Sequence, residues 1–361
     1  MTALALAPGA GCGEDAPAPD LAVEARGPHP VGTRRAVRDD AARGRALTVQ
    51  VWYPAAAGAA EADVPIAELE AEPARTTYAD LLAQADAGCP TRTARVAVDA
   101  APAAGSFPLV AYSHCHECTR LSGLAVAERL ASHGFVVVAV DHAGNTLWDR
   151  LDGQALPLDA STLALREADL GFALAETRAA SELGVGGIVD PERTGVVGHS
   201  FGAVTAGLHA QRAGAAVDAA FALAAPMENP LLPGVTITSL AIPLGFLVAR
   251  EDNSISELGN ELIRGNFARA TGPAWKLEVA DAGHWSVSDL VGLVPAFAAG
   301  CGAGTRQTDG QAFTYLDAAT GRGLTAAHVT AFFKATLEGD AGAGAYLTAG
   351  RPAPVVSAEQ R

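Results

Sequence analysis

Apolar residues in this chain fall into two alternating kinds of run. Leu109–Ser113, Phe135–Val140 (FVVVAV), Thr194–Val197, Ala219–Ala224, Leu244–Ala249 and Trp275–Val279 are short and mostly apolar. Such runs predict strands buried on both faces. Between and beyond them lie longer stretches predicted as helices: Leu121–Ser132, Thr162–Leu183, Phe201–Arg212, Ile255–Arg269, Val287–Phe297 and Ala326–Leu337. Strand alternating with helix predicts a mostly parallel central sheet with helices on both faces, an α/β class. Nearer the start, Arg34–Arg38 and Leu47–Tyr53 flank Asp39–Gly44. They predict an N-terminal antiparallel hairpin that opens the sheet. Residues 1–30, rich in Pro, Gly and Asp, read as a signal remnant and disordered lead-in. Residues 31–345 read as one domain, carrying an Ala- and Glu-rich insertion over 55–92 able to cover a site, with a helical patch near Tyr78–Ala85. Residues 346–361 read as a C-terminal tail.

The 361 residues, 49% hydrophobic and 18% charged, are enough for one large domain with a deep core. Forty acidic against 25 basic residues give a net charge of −15. That excess argues against nucleic acid or an anionic membrane surface as partner. No apolar run is long enough to cross a bilayer. Met1–Gly11 is apolar and small, lacks a basic start, and runs into Cys12. It reads as the tail of a secretory or lipoprotein signal, so export is expected, with Cys12 a candidate for a lipid anchor although Gly9-Ala10-Gly11 lack the Leu expected three residues before a lipidated cysteine. Cys89, Cys115, Cys118 and Cys301 then suit two disulfides, with three pairings open.

The chemistry centres on Gly198-His199-Ser200-Phe201-Gly202, between the strand Thr194–Val197 and the helix from Phe201. Strand, Gly-x-Ser-x-Gly, helix is the pattern of a nucleophilic serine held on a sharp turn. Such a serine needs a base and a group to orient it, following in chain order as acid and then histidine. His284, on the loop after Trp275–Val279 with Gly283 before it, is the candidate base. His133, His209 and His328 fall at a turn or inside helices and fit worse. Asp252, three residues past Leu244–Ala249, is the candidate acid, with Glu251 as rival, Glu228 as fallback and Asp281 as a turn residue. An oxyanion hole needs two converging backbone N–H groups. Phe201 supplies one; the loop after Leu109–Ser113 supplies the other, from His116 or, second, Cys115. Phe201, Trp148 and Trp285 are candidates to wall an acyl pocket. Two His and two Cys in five residues of that loop raise a metal or redox reading. A lone Cys-x-x-Cys lacks the second half of a zinc site, and Thr119 stands where haem attachment needs His. A Cys115–Cys118 disulfide or free packed thiols explain the loop better. No metal and no cofactor is expected.

These residues together resemble the α/β-hydrolase superfamily, and more closely its branch of plasma-type platelet-activating factor acetylhydrolases and dienelactone-hydrolase-like esterases. The matching words are Val51-Trp52-Tyr53-Pro54, Tyr112-Ser113-His114, LASHGFVVVAVDH from Leu130 to His142, DPERTGVVGHSFG from Asp190 to Gly202, and AGHWS from Ala282 to Ser286. The resemblance covers roughly residues 30–340, as a single large domain would. It implies an α/β-hydrolase fold and a serine carboxylic-ester hydrolase acting on a small-molecule ester through Ser200, His284 and Asp252. Two departures stand out. Cys115 occupies a position where the family has Gly. Plasma-type members carry the acid after the earlier strand, where Leu223-Ala224-Ala225 has no carboxylate. Asp252 matches the dienelactone-hydrolase-like pattern instead. An acyltransferase with the same triad, or a non-catalytic binding protein on the same fold, are the alternatives.

Overall fold

The computed structural model describes residues 17–179 and 181–361, so Cys12 and the signal-like start lie outside the described residues. The chain opens with the hairpin β1 (Val31–Asp40) and β2 (Arg45–Pro54), then β3 (Ala62–Pro65), α1 (Ala74–Gln84) and β4 (Thr93–Val98). The alternating part follows: β5 (Phe107–Ser113), α2 (Leu124–Ser132), β6 (Val136–Val140), α3 (Leu147–Leu151), α4 (Ala160–Arg178), β7 (Val189–His199) and α5 (Phe201–Ala213). It continues through β8 (Ala219–Leu223), β9 (Leu244–Ala249), α6 (Ser256–Arg269) and β10 (Ala274–Val279). A small ribbon of β11 (Ala303–Thr305) and β12 (Ala312–Thr314) precedes α7 (Ala318–Leu337), α8 (Ala341–Thr348) and β13 (Val355–Gln360).

The main sheet has 11 strands in the order β13-β10-β9-β8-β7-β5-β6-β2-β1-β4-β3. From β6 to β10 every pairing is parallel; β2 and β13 add antiparallel neighbours at the two sides. The apolar runs explain this directly. All five residues of β6 are buried, with Val137 and Ala139 in one core layer and Val136, Val138 and Val140 in the other. A strand apolar on both faces needs cover on both, and helices supply it. The chain runs from β5 to β6 on one side and returns to β7 on the other. That reversal opens a crevice at the C-terminal ends of β5 and β7, where sheets of this kind bind ligands.

Several expectations need correction. Val287–Phe297 is not a helix but a loop with one short turn at Pro295–Phe297. Its apolar residues reflect burial, and Gly292, at φ +71°, and Pro295 interrupt any helical run. Helix α7 begins at Ala318 rather than 326; Asp317 caps it by accepting from Thr320 N at 2.9 Å, a signal masked by the glycines that follow. The tail is ordered: β13 pairs antiparallel with β10 and covers the sheet edge. Residues 17–30, expected as disordered, dock on α7 and α8, with Val23 buried, Asp20 paired to Lys334 at 2.6 Å and Tyr346 Oη donating to Glu24 at 3.1 Å.

Candidate active site

Strand β7 ends at His199, and α5 begins two residues later, so Ser200 alone makes the turn. It does so at φ 57°, ψ −122°, a strained conformation for a residue with a side chain. Packing enforces it. A Cβ at Gly198 would lie 2.0 Å from Gly202 O, and one at Gly202 would lie 2.0 Å from Ser113 O. The glycines therefore supply close approach, while the serine carries the strain. Ser200 N–H donates to Leu223 O at 3.0 Å, which fixes the turn against β8. Ser200 is partly exposed between buried neighbours, and α5 points its positive end at it.

His284 and Asp252 stand on the loops after β10 and β9. His284 Nδ1 and Asp252 Oδ2 are 2.7 Å apart, and the other carboxylate oxygen accepts from the N–H groups of Ser254 and Ile255. Nε2 of His284 has no protein partner among the described residues. The rival acids are engaged elsewhere. Glu251 and Asp281 bind Arg306, and Glu228 binds Arg269 and the Ile237 N–H. The rival histidines hold structural hydrogen bonds: His133 to Ala25 O, His209 to Glu167, His328 to Leu324 O. His199 has a role that sequence reasoning missed. Its Nε2–H donates to the carbonyl of His284 at 2.9 Å and its ring lies 4.9 Å from the His284 ring. Burial, and then His284 itself, push the His199 pKa well down, so it is a neutral brace.

Beside Ser200 lies the loop His114-Cys115-His116-Glu117-Cys118 at the end of β5. Cys115 and Cys118 form a disulfide, which removes both thiols from metal chemistry. Among the described residues no group of three or more His, Cys, Asp or Glu is placed to hold a metal ion. The N–H groups of Phe201, Cys115 and His116 donate to no protein acceptor among the described residues. The His116 ring packs edge-on against Phe201 at 5.9 Å, and its Nδ1 accepts from Asn145 Nδ2 at 2.8 Å. His114 accepts the His142 N–H at Nε2, so its proton sits on Nδ1 and is donated to Cys115 O at 2.7 Å.

Beneath this loop runs a second Ser–His–Asp chain. Ser113 Oγ is 3.0 Å from His142 Nε2, and His142 Nδ1 is 3.4 Å from Asp169 Oδ2. All three residues are fully buried. Arg166, on α4, also reaches this layer, donating to Ser113 Oγ, His114 O, Asn145 Oδ1 and Thr205 Oγ1. The sequence does carry a signal for it: Arg166 falls between Leu163 and Leu170 on the apolar stripe of α4.

An apolar cavity of about 250 Å³ opens beside Ser200, walled by Phe201, Val204, Pro226, Leu232, Ile255 and Leu262. Leu158, Leu231 and Leu258 stand exposed at its mouth. Of the expected aromatic walls, only Phe201 serves. Trp148 packs edge-on to Tyr78, and Trp285 stacks on Phe297 at 4.1 Å. Residues 55–92 line none of this cavity. That segment is instead tied down by the Glu70–Arg120 ion pair and by the Cys89–Cys301 disulfide.

Sheet order, turn and loops are those of the α/β-hydrolase fold. A family model described as platelet-activating factor acetylhydrolase, isoform II, matches residues 20–148. The match takes in Val51-Trp52-Tyr53-Pro54 and Ser113-His114 and stops short of Ser200. Among solved structures, a ferulic acid esterase from Streptomyces cinnamoneus is 26% identical, with a TM-score of 0.63 over 90% of this chain and 93% of that chain. A comparison with curated proteins returned no match. The chain has the α/β-hydrolase fold and is a carboxylic ester hydrolase.

Proposed function

We propose that Ser200, His284 and Asp252 carry the ester hydrolysis, in the manner of acetylhydrolase-like or dienelactone-hydrolase-like esterases. One observation carries the reading: the 2.7 Å hydrogen bond between His284 Nδ1 and Asp252, made from loops beside a strained, partly exposed Ser200. Asp252 orients His284 and stabilises it as a cation. His284 Nε2 takes the Ser200 proton as Oγ attacks the ester carbonyl. The N–H groups of Phe201 and His116 hold the oxyanion, and their lack of protein acceptors supports that role. His284 then protonates the departing alcohol, and a water activated by the same nitrogen releases the acyl group. The apolar cavity supports an apolar acyl or aryl group next to the scissile bond. We further propose export, which two disulfides support.

The test is hydrolysis of p-nitrophenyl esters from acetyl to palmitoyl, with Ser200→Ala in parallel. Serine-dependent preference for short acyl chains is expected. Serine-dependent activity on long chains only would indicate a lipase. Activity surviving in Ser200→Ala would refute the assignment.

A further inference from the structure

Arg166 is 1% exposed, and no carboxylate pairs with it among the described residues. Asp169, one turn further along α4, is occupied by Arg43, Arg45 and His142. Burial lowers the pKa of Arg166 to about 9, which leaves it cationic at neutral pH. A buried cation with only neutral partners is costly, and such a cost persists where the charge has a use.

Its partners indicate the use. One guanidinium nitrogen donates to the carbonyl of His114 and to Ser113 Oγ. Another donates to Asn145 Oδ1, and Asn145 Nδ2 holds the His116 ring. The third donates to Thr205 Oγ1 at 3.2 Å, and that hydroxyl donates to Phe201 O at 2.9 Å. The guanidinium also lies 4.6 Å from the centre of the Phe201 ring. Both residues assigned to the oxyanion hole are thus held from one cation, and neither is held by it alone.

We infer that Arg166 is the positioning residue of the oxyanion hole, holding the His116 and Phe201 residues in place through the His114 carbonyl, Asn145 and Thr205 and putting a positive charge that no carboxylate contacts behind them. The inference rests on the roles proposed above for Ser200, Phe201 and His116. Positive charge near a developing oxyanion stabilises the transition state more than the neutral ester. The loss should therefore fall on kcat.

The experiment compares Arg166→Lys, Arg166→Met and Asn145→Ala with wild type. It measures kcat and KM on p-nitrophenyl butyrate, affinity for a trifluoromethyl ketone that forms a tetrahedral adduct, and labelling of Ser200 by a fluorophosphonate. For Arg166→Met, kcat is expected to fall about 100-fold. For Arg166→Lys and Asn145→Ala it falls roughly 10-fold, with KM within about threefold of wild type. Ketone affinity is expected to fall by the same factor as kcat/KM. If Arg166→Met does not fold, the two milder variants decide. Folded variants that keep kcat, or lose activity through KM alone, overturn the inference while leaving the serine mechanism intact. Wild type unlabelled at Ser200, with Ser200→Ala still active, would overturn the mechanism and this inference together.

Discussion

Ser200–His284–Asp252 and Ser113–His142–Asp169 use the same three residue types, and their serines lie at the ends of neighbouring strands, Ser113 as the last residue of β5 and Ser200 just past β7, with Ser113 paired to Gly198. They differ in three respects. Ser200 sits on a strained turn that lifts it clear of the sheet; Ser113 is the last residue of a regular strand. Asp252 gives one oxygen to His284 and the other to backbone N–H groups, whereas Asp169 is held by Arg43 and Arg45 and has only a 3.4 Å contact with its histidine. Ser200 borders a cavity, while Ser113 is sealed and accepts from Arg166. Geometry between three side chains is therefore not enough. Access, backbone strain and freedom from competing partners are what set Ser200, the proposed nucleophile, apart from Ser113.

The sharpest way to break this comparison is to delete each serine. Ser200→Ala is expected to lower kcat by roughly 10⁴–10⁶-fold with little change in Tm. Ser113→Ala is expected to keep at least about a tenth of turnover and to lose about 1–3 kcal/mol of stability. Exchanging the acids should separate the two chains again. Asp252→Asn is expected to cost about 10⁴-fold in kcat in a folded protein. Asp169→Asn instead leaves two arginines short of a buried partner and should cost roughly 3–5 kcal/mol in denaturant unfolding.

Acid sharpens the contrast further. Burial alone would raise the pKa of Asp169, but the His142 hydrogen bond and Arg45 outweigh it and hold it at about 2. Its stabilisation is present above the ordinary carboxylate pKa near 4 and is lost as pH falls toward 2. His142 is pushed the other way from its charged form: burial, then Arg166, bring it down to about 4. The unfolded chain takes up that proton first, so stability also declines from about pH 6.5 to 4. His142→Gln should make that second part of the acid unfolding profile shallower without abolishing it, because His114, His199 and His328, also pushed down by burial, contribute there too. A smaller effect is expected at the cavity mouth, where Leu258→Ser should raise KM for apolar esters by less than about tenfold and leave kcat almost unchanged.

Much of this architecture was legible in the sequence because the β-runs are apolar on both faces, and only a sheet covered by helices satisfies that. The elbow was legible because its two glycines are sterically required. His284 and Asp252 were candidates from chain order, and the fold brings them within 2.7 Å of each other. What stayed hidden depends on contacts between distant segments. Nothing local marks His199 as the brace of His284, or Asn145 as the partner of His116. Val287–Phe297 carried helix-like apolarity because it is buried, not because it winds. The tail 346–361 offered only weak alternation, and its strand exists because β10 presents an open edge. The Cys115–Cys118 and Cys89–Cys301 pairing needed the fold, since spacing alone allowed three.

The most direct measurement is the site of covalent labelling. Wild-type protein is treated with a fluorophosphonate, digested, and mapped by mass spectrometry, with Ser200→Ala and Ser113→Ala in parallel. The account predicts one adduct, on Ser200, present in Ser113→Ala and absent from Ser200→Ala. An adduct on another serine, or esterase activity surviving in Ser200→Ala, would contradict it.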